Sequence, residues 1–152
     1  RLADADTVAI VTGQQAGVFG GPLYTLLKAV TAIRLARQVA ARHGIVAIPV
    51  FWVEAEDHDW EEVRTCRVLD ADLALREITL DTLDGAGHRP VARLTLDDGI
   101  GDALGALEQL LAPTAFTADL MERLRRHYRP GQSMSTAFAS WMDDLLGRYG
   151  LV

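Results

Sequence analysis

Nine consecutive residues, Glu54 to Glu62, set six carboxylates (Glu54, Glu56, Asp57, Asp59, Glu61 and Glu62) around a single histidine, His58. An imidazole among carboxylates suits a general acid or base, or a hydrogen-bonded clamp for an amine or hydroxyl. The same string also reads as an acidic helix start. Asp57 or Asp59 would then be the N-cap, with Glu61 and Glu62 complementing the helix dipole. A metal site built from His58 with Asp57, Asp59, Glu61 or Glu62 is a third reading, resting on one local histidine.

A second constellation lies upstream, in Thr12 to Lys28 (TGQQAGVFGGPLYTLLK). It holds Gly13, Gly17, Gly20 and Gly21, the adjacent amides Gln14 and Gln15, and Pro22 where the first turn of a helix is expected. Strand, glycine-rich loop and helix N-terminus together can offer free backbone N–H groups to an anion. The loop lacks the Gly-Lys-Ser/Thr of a Walker A motif and the spacing of a dinucleotide fingerprint. A tight crossover turn with no ligand is the competing reading. Tyr24, Lys28 and Thr31 follow at i, i+4, i+7, and Lys28 reads either as a solvated lysine or as a cation aimed at the loop's ligand. A hydroxyl-rich stretch, Ser133 with Ser135 and Thr136, opens the last helix. Ser133 reads as its N-cap, and the cluster as a further wall of the same crevice.

The elements that must position these residues follow from periodicity. Residues 8–12 read as a buried strand and 45–53 as a second, almost wholly apolar one, covered on both faces. Pro49 in it hints at an edge or a bulge. Between them, 22–43 read as a helix. Leu26, Ala29, Val30, Ile33, Ala36 and Ala40 face the sheet, and Gly44 is the C-cap. This is a βαβ unit, and ligands of such sheets bind beyond the carboxyl ends of the strands, where both constellations fall. Residues 65–70 read as a short strand, with Cys66 a small core residue. Residues 73–80 and 91–96 read as a hairpin closed by the glycines near 84–87. Helices follow over 99–112, 118–128 (Thr117 as N-cap) and 133–149.

The chain has 152 residues, net charge −6 and one cysteine. This suits one globular α/β unit without an internal disulfide, with the reducing cytoplasm as the expected compartment. The acidic balance argues against nucleic-acid and anionic-membrane partners. The start at Arg1 and the apolar Leu151–Val152 after Gly150 read as a piece of a longer protein, with a strand beginning at Leu151.

Three blocks, GQQAGVFGGPLYTLLKAVTAIRLA, PVFWVEAEDHDWEEV and SMSTAFASWMDDLLGRYGLV, resemble the amino-terminal part of the cysteine-adding enzymes of bacillithiol biosynthesis. They occur in that family's order and together span nearly all of the chain. The resemblance implies a Rossmann-like parallel sheet of the class I aminoacyl-tRNA synthetase and nucleotidyltransferase kind. Residues 1–69 would form the first part of the core, 70–131 an α+β connecting-peptide insertion, and 132–152 the return to the core. It implies a ligase joining cysteine to glucosaminyl-malate, with ATP as activator, no metal beyond magnesium, and a coiled-coil homodimer in the full-length protein. Carried onto this sequence, Gln14, Gln15 and Gly17 line the loop that stands where related enzymes place a nucleotide-binding histidine motif; no histidine pair is present here. Tyr24 and Lys28 project into the crevice, Asp57, His58 and Asp59 face them, and Ser135 and Thr136 close it. His58, Asp57 and Lys28 would be the catalytic groups. A catalytically silent module binding a small anion or thiol, and a metal-dependent hydrolase, are the alternatives from other classes.

Overall fold

The computed structural model describes residues 2–152. Strand β1 (Thr7–Gln15) and strand β2 (Val46–Glu54) pair in parallel, from Thr7 opposite Val46 to Gln15 opposite Glu54. β1 runs three residues past its apolar core of 8–12. Gly13 permits this, because a Cβ there would lie 2.5 Å from the Trp52 carbonyl oxygen. Gln14 and Gln15 therefore ride on the strand end and not in a loop, and the turn proper is confined to 16–21.

Helix α1 (Leu23–His43) connects the two strands. Pro22 is its N-cap, in extended conformation, and not a first-turn residue. The buried stripe is Thr25, Ala29, Ala32, Ile33 and Ala36, so the helix is rotated slightly from the expected arc, and Val30 stays 41% exposed. Small side chains let α1 lie close against β1 and β2. Gly44 ends it in the left-handed region (φ 67°), its N–H bonded to the Ala40 carbonyl.

The expected cover on both faces of β2 is not found among the described residues: Trp52 is 64% exposed and Val11, on β1, 63%. Val152 bonds β2 on the edge away from β1, donating to Pro49 O (3.0 Å) and accepting from Phe51 N (2.7 Å), the pattern of a parallel neighbour. Pro49 turns its missing N–H to that same edge, so the ladder with β1 loses nothing.

After β2 the short helix α2 (Trp60–Val63) leads into strand β3 (Thr65–Leu69), which pairs antiparallel with strand β4 (Leu75–Thr79). The expected hairpin of 73–80 with 91–96 does not form. Asp70 decides this: its carboxylate accepts from the backbone of Asp72 and Ala74 and pairs with Arg76 at 2.6 Å, folding β4 straight back onto β3. Residues 91–96 instead form a strap. Val91 N and Ala92 N bond the carbonyls of Asp57 and Ala55 just past β2, Val91–Arg93 makes a 3-10 turn, and Leu94 and Leu96 bond Met134 and Gln132.

Helix α3 (Gly99–Leu110), helix α4 (Thr117–His127) and helix α5 (Met134–Leu146) complete the chain. Ser133 caps α5 as expected, accepting from Thr136 N. Thr117 does not cap α4; its hydroxyl accepts from Thr114 N and donates to Ala112 O, and Phe116 holds the N-cap position. Asp144 of α5 clasps Arg123 and His127 of α4, each at 3.1 Å. One apolar core runs from Ala16 through Leu94, Leu124 and Phe138 to Leu151. Among the described residues no helix is long and apolar enough to cross a membrane.

Candidate active site at the strand ends

The carboxyl ends of β1 and β2 carry a continuous polar network. Lys28 Nζ donates to Gln14 Oε1 (2.9 Å) and Gly13 O (3.3 Å), and lies 5.1 Å from the centre of the Tyr24 ring. An ammonium can only donate, so Gln14 must turn its oxygen to Lys28 and its amide nitrogen to the Tyr24 hydroxyl, 3.2 Å away. Tyr24 thus accepts from Gln14 and keeps its own O–H free to donate. Lys28 likewise keeps one N–H. Helical spacing alone brings Tyr24 and Lys28 together, one turn apart on α1.

Gln15 points the other way. Its Nε2 donates to Asp57 Oδ2 and Glu62 Oε2, both at 2.9 Å. The two amides address opposite faces of the strand end, as adjacent strand residues do, and approach each other at 3.5 Å. Asp57 is fully engaged. Oδ2 takes Gln15, and Oδ1 takes the backbone N–H groups of His58 (2.7 Å) and Asp59 (3.3 Å). The Gln15 amide first, then the His58 N–H, hold its carboxyl below the usual carboxylate range.

A cleft of about 470 Å³ opens beside this network, lined by Leu23 and Tyr24 of α1, Glu61 and Glu62 of α2, and Thr65 and Arg67 of β3. Glu62 entered the sequence reading as one of the six carboxylates around His58, as a dipole partner and as a candidate metal ligand, and Arg67 was not singled out because it sits in a strand with no motif.

Other expected site residues are placed elsewhere. His58 is exposed and lines a separate recess of about 230 Å³ with Asp59, Trp60, Thr82 and Gly87. Asp59 spends Oδ1 on Glu62 N (3.1 Å) as the N-cap of α2, so the helix-start reading holds for it. Ser135 and Thr136 bond Ser133 at the start of α5, and have no hydrogen bond to the glutamines or to Asp57. Among the described residues no group of three His, Cys, Asp or Glu side chains is placed to hold a metal ion. Cys66 is buried, and burial pushes its thiol up to about 11.

The glycine turn does not form an open anion cradle. Ala16 to Gly20 are buried. Gly17 N bonds Gln15 O, Gly21 N bonds Val18 O, and Gly20 N is shared between Gly17 O and the Tyr128 hydroxyl. That hydroxyl, on a fully buried ring, also donates to Gly17 O at 3.2 Å. A Cβ on Gly17 would stand 2.7 Å from Gly21 Cα, and one on Gly20 2.3 Å from the Trp141 ring. The glycines are therefore required by close packing, and the turn as folded does not fit a triphosphate.

A family model described as "Bacillithiol biosynthesis BshC, N-terminal Rossmann-like domain" matches residues 1–152. A protein of Salinibacter ruber is 42% identical over 153 residues, covering 99% of this chain and 27% of its own length. A protein of Heliobacterium modesticaldum is 38% identical over 152 residues, and one of Oceanobacillus iheyensis 30% identical over 154, each covering 100% of this chain and 28% of its own length. All three carry the name "Putative cysteine ligase BshC". The chain thus spans about a quarter of the length of these curated relatives (27–28%).

Proposed function

This chain belongs to the BshC amino-terminal Rossmann-like family of bacillithiol biosynthesis, and from that membership we propose that it forms one wall of the active site of a cysteine ligase. In this reading the whole protein joins the carboxyl carbon of cysteine to the amine of glucosaminyl-malate, with ATP as the activator. The observation that carries the site assignment is the network at the strand ends, where a parallel α/β sheet binds ligands. It ends in donors on one side (Lys28 and the free Tyr24 O–H) and carboxylates on the other (Asp57 and Glu62).

The donor side suits the oxyanion that develops when an amine attacks an acyl carbon. Gln14 fixes the direction of both donors. The carboxylate side, through Glu62, suits the ammonium group of a substrate. His58 opens onto the separate recess beside Trp60 and Thr82 and is assigned no part in this step. ATP is not assigned to the 16–21 turn, where Ala16 to Gly20 are buried and the N–H groups of Gly17, Gly20 and Gly21 are bonded within the protein.

Residues 70–131 are read as an insertion of the connecting-peptide kind in a synthetase-like core. One feature supports this: Val152 lies beside β2 as a parallel neighbour, so the chain returns to the β1–β2 sheet after residues 70–131.

The test uses full-length protein with cysteine, glucosaminyl-malate and ATP, and follows the thiol product by mass spectrometry. Lys28→Met and Gln14→Leu are expected to lower kcat about 100- to 1,000-fold, the range for lost oxyanion donors. Product that forms equally fast in both variants refutes the site assignment, and absence of product without ATP supports its role as activator.

A further inference from the structure

The cleft beside the network carries charge of both signs, and the two ends are free to bind. Arg67 bonds Glu77 through Nε at 2.8 Å, and its two terminal nitrogens have no hydrogen-bond partner among the described residues. Glu61 is paired with Arg64 at 3.2 Å, whereas Glu62 takes only the neutral amide of Gln15, so its negative charge is not balanced by a cation. Tyr24 and Thr65 also line the cleft. About 470 Å³ falls within the range of small-molecule clefts, roughly 300–1,000 Å³.

We propose that this cleft is the subsite for a free α-amino acid, its ammonium on Glu62 and its carboxylate on Arg67. A simple anion would meet two glutamates, and a simple amine would leave the terminal N–H groups of Arg67, which is ion-paired with Glu77 through Nε alone, without an acceptor. A zwitterion satisfies both ends, and discrimination against each half-molecule follows from the charge it leaves unmatched. The Tyr24 O–H, turned outward by Gln14, is a further donor to the carboxylate. Gln15 links the subsite to Asp57, so a ligand's ammonium competes with the Gln15 amide for Glu62. This assignment rests on the ligase reading only for the identity of the amino acid as cysteine.

The test is calorimetry on the full-length protein without ATP or acceptor. The probes are L-cysteine, L-alanine, cysteamine (no carboxylate) and 3-mercaptopropionate (no ammonium). L-cysteine is expected to bind at least 10-fold more tightly than either half-molecule. Arg67→Met and Glu62→Gln are each expected to weaken it 10-fold or more, and Arg67→Lys to recover part of the loss. Circular dichroism melts identify any variant that fails to fold, in which case Arg67→Lys and Glu62→Asp carry the comparison. Equal binding of cysteamine, or cysteine binding unchanged in Arg67→Met, overturns the proposal. The two readings fail separately. Arg67-dependent binding of L-alanine and L-cysteine with no ligation keeps the subsite and removes the ligase. Ligation with an unchanged KM for cysteine in Arg67→Met does the reverse.

Discussion

Gly20→Ala separates a packing role for the glycine turn from a ligand-binding one. Gly20 has φ +98°, and an added Cβ would lie 2.3 Å from Trp141 Cζ3 and 2.6 Å from Cη2. Trp141 is buried in α5. A side chain at positive φ costs about 1–2 kcal/mol, and overpacking a close-packed core costs about 1–3 kcal/mol more. Together these lower the melting temperature by roughly 4–20 °C, at about 2–4 °C per kcal/mol for a chain of this size. Gly44→Ala is the control, because Gly44 also has positive φ (+67°) but nothing lies within 4 Å of its added Cβ. It should show the backbone cost alone. In a Trp141→Phe background the outer ring atoms are gone, so the excess cost of Gly20→Ala should shrink toward the Gly44→Ala value. Thermal melts by far- and near-ultraviolet circular dichroism read all four variants. If Gly20→Ala melts no lower than Gly44→Ala, the packing argument is refuted and the open-cradle reading of the turn returns.

Tyr128→Phe keeps the ring against Phe19 (centroids 5.4 Å apart) but removes the bonds to Gly17 O and Gly20 N. Urea unfolding should show a loss of about 0.5–1.5 kcal/mol, the net worth of a hydrogen bond, because Gly20 N and Gly17 O keep their bond to each other. In Gln15→Leu the Asp57 carboxyl should titrate closer to its ordinary range, read by carboxyl-carbon NMR, because the first cause of its lowered pKa is removed. Asp144 is held low chiefly by His127, then by Arg123 and Arg126. Its contribution is therefore present above the unfolded carboxylate pKa of about 3.9 and lost as pH falls through the lower folded value. Asp144→Asn should be less stable at neutral pH and show a shallower loss of stability on acidification. An acid melt that parallels the parent curve would rule this out.

Local chemistry made some of this protein legible in one dimension. The β-branched run of β2, the 3.6-residue stripe of α1, the left-handed cap at Gly44 and the hydroxyl cap at Ser133 depend on near neighbours, and the sequence contains those neighbours. The i, i+4 pairing of Tyr24 with Lys28 is of the same kind. Gln15, Asp57 and Glu62 were within reach as polar residues at strand ends, but the bonds joining positions 42 and 47 residues apart are set by the sheet.

Tertiary structure alone decided what the glycines are for. Glycine spacing is the same whether a loop admits a phosphate or another backbone, and Tyr128 and Trp141, over 100 residues away, resolve it in favour of close packing. It also decided the hairpin partner of β4, because Asp70 closes the shorter loop first and leaves 91–96 free to strap β2 to α5. And it set His58 apart from the Gln15 network: backbone N–H bonds to Asp57 and the capping of α2 by Asp59 fix the course of the chain there, and no count of carboxylates in a sequence specifies which way an imidazole turns.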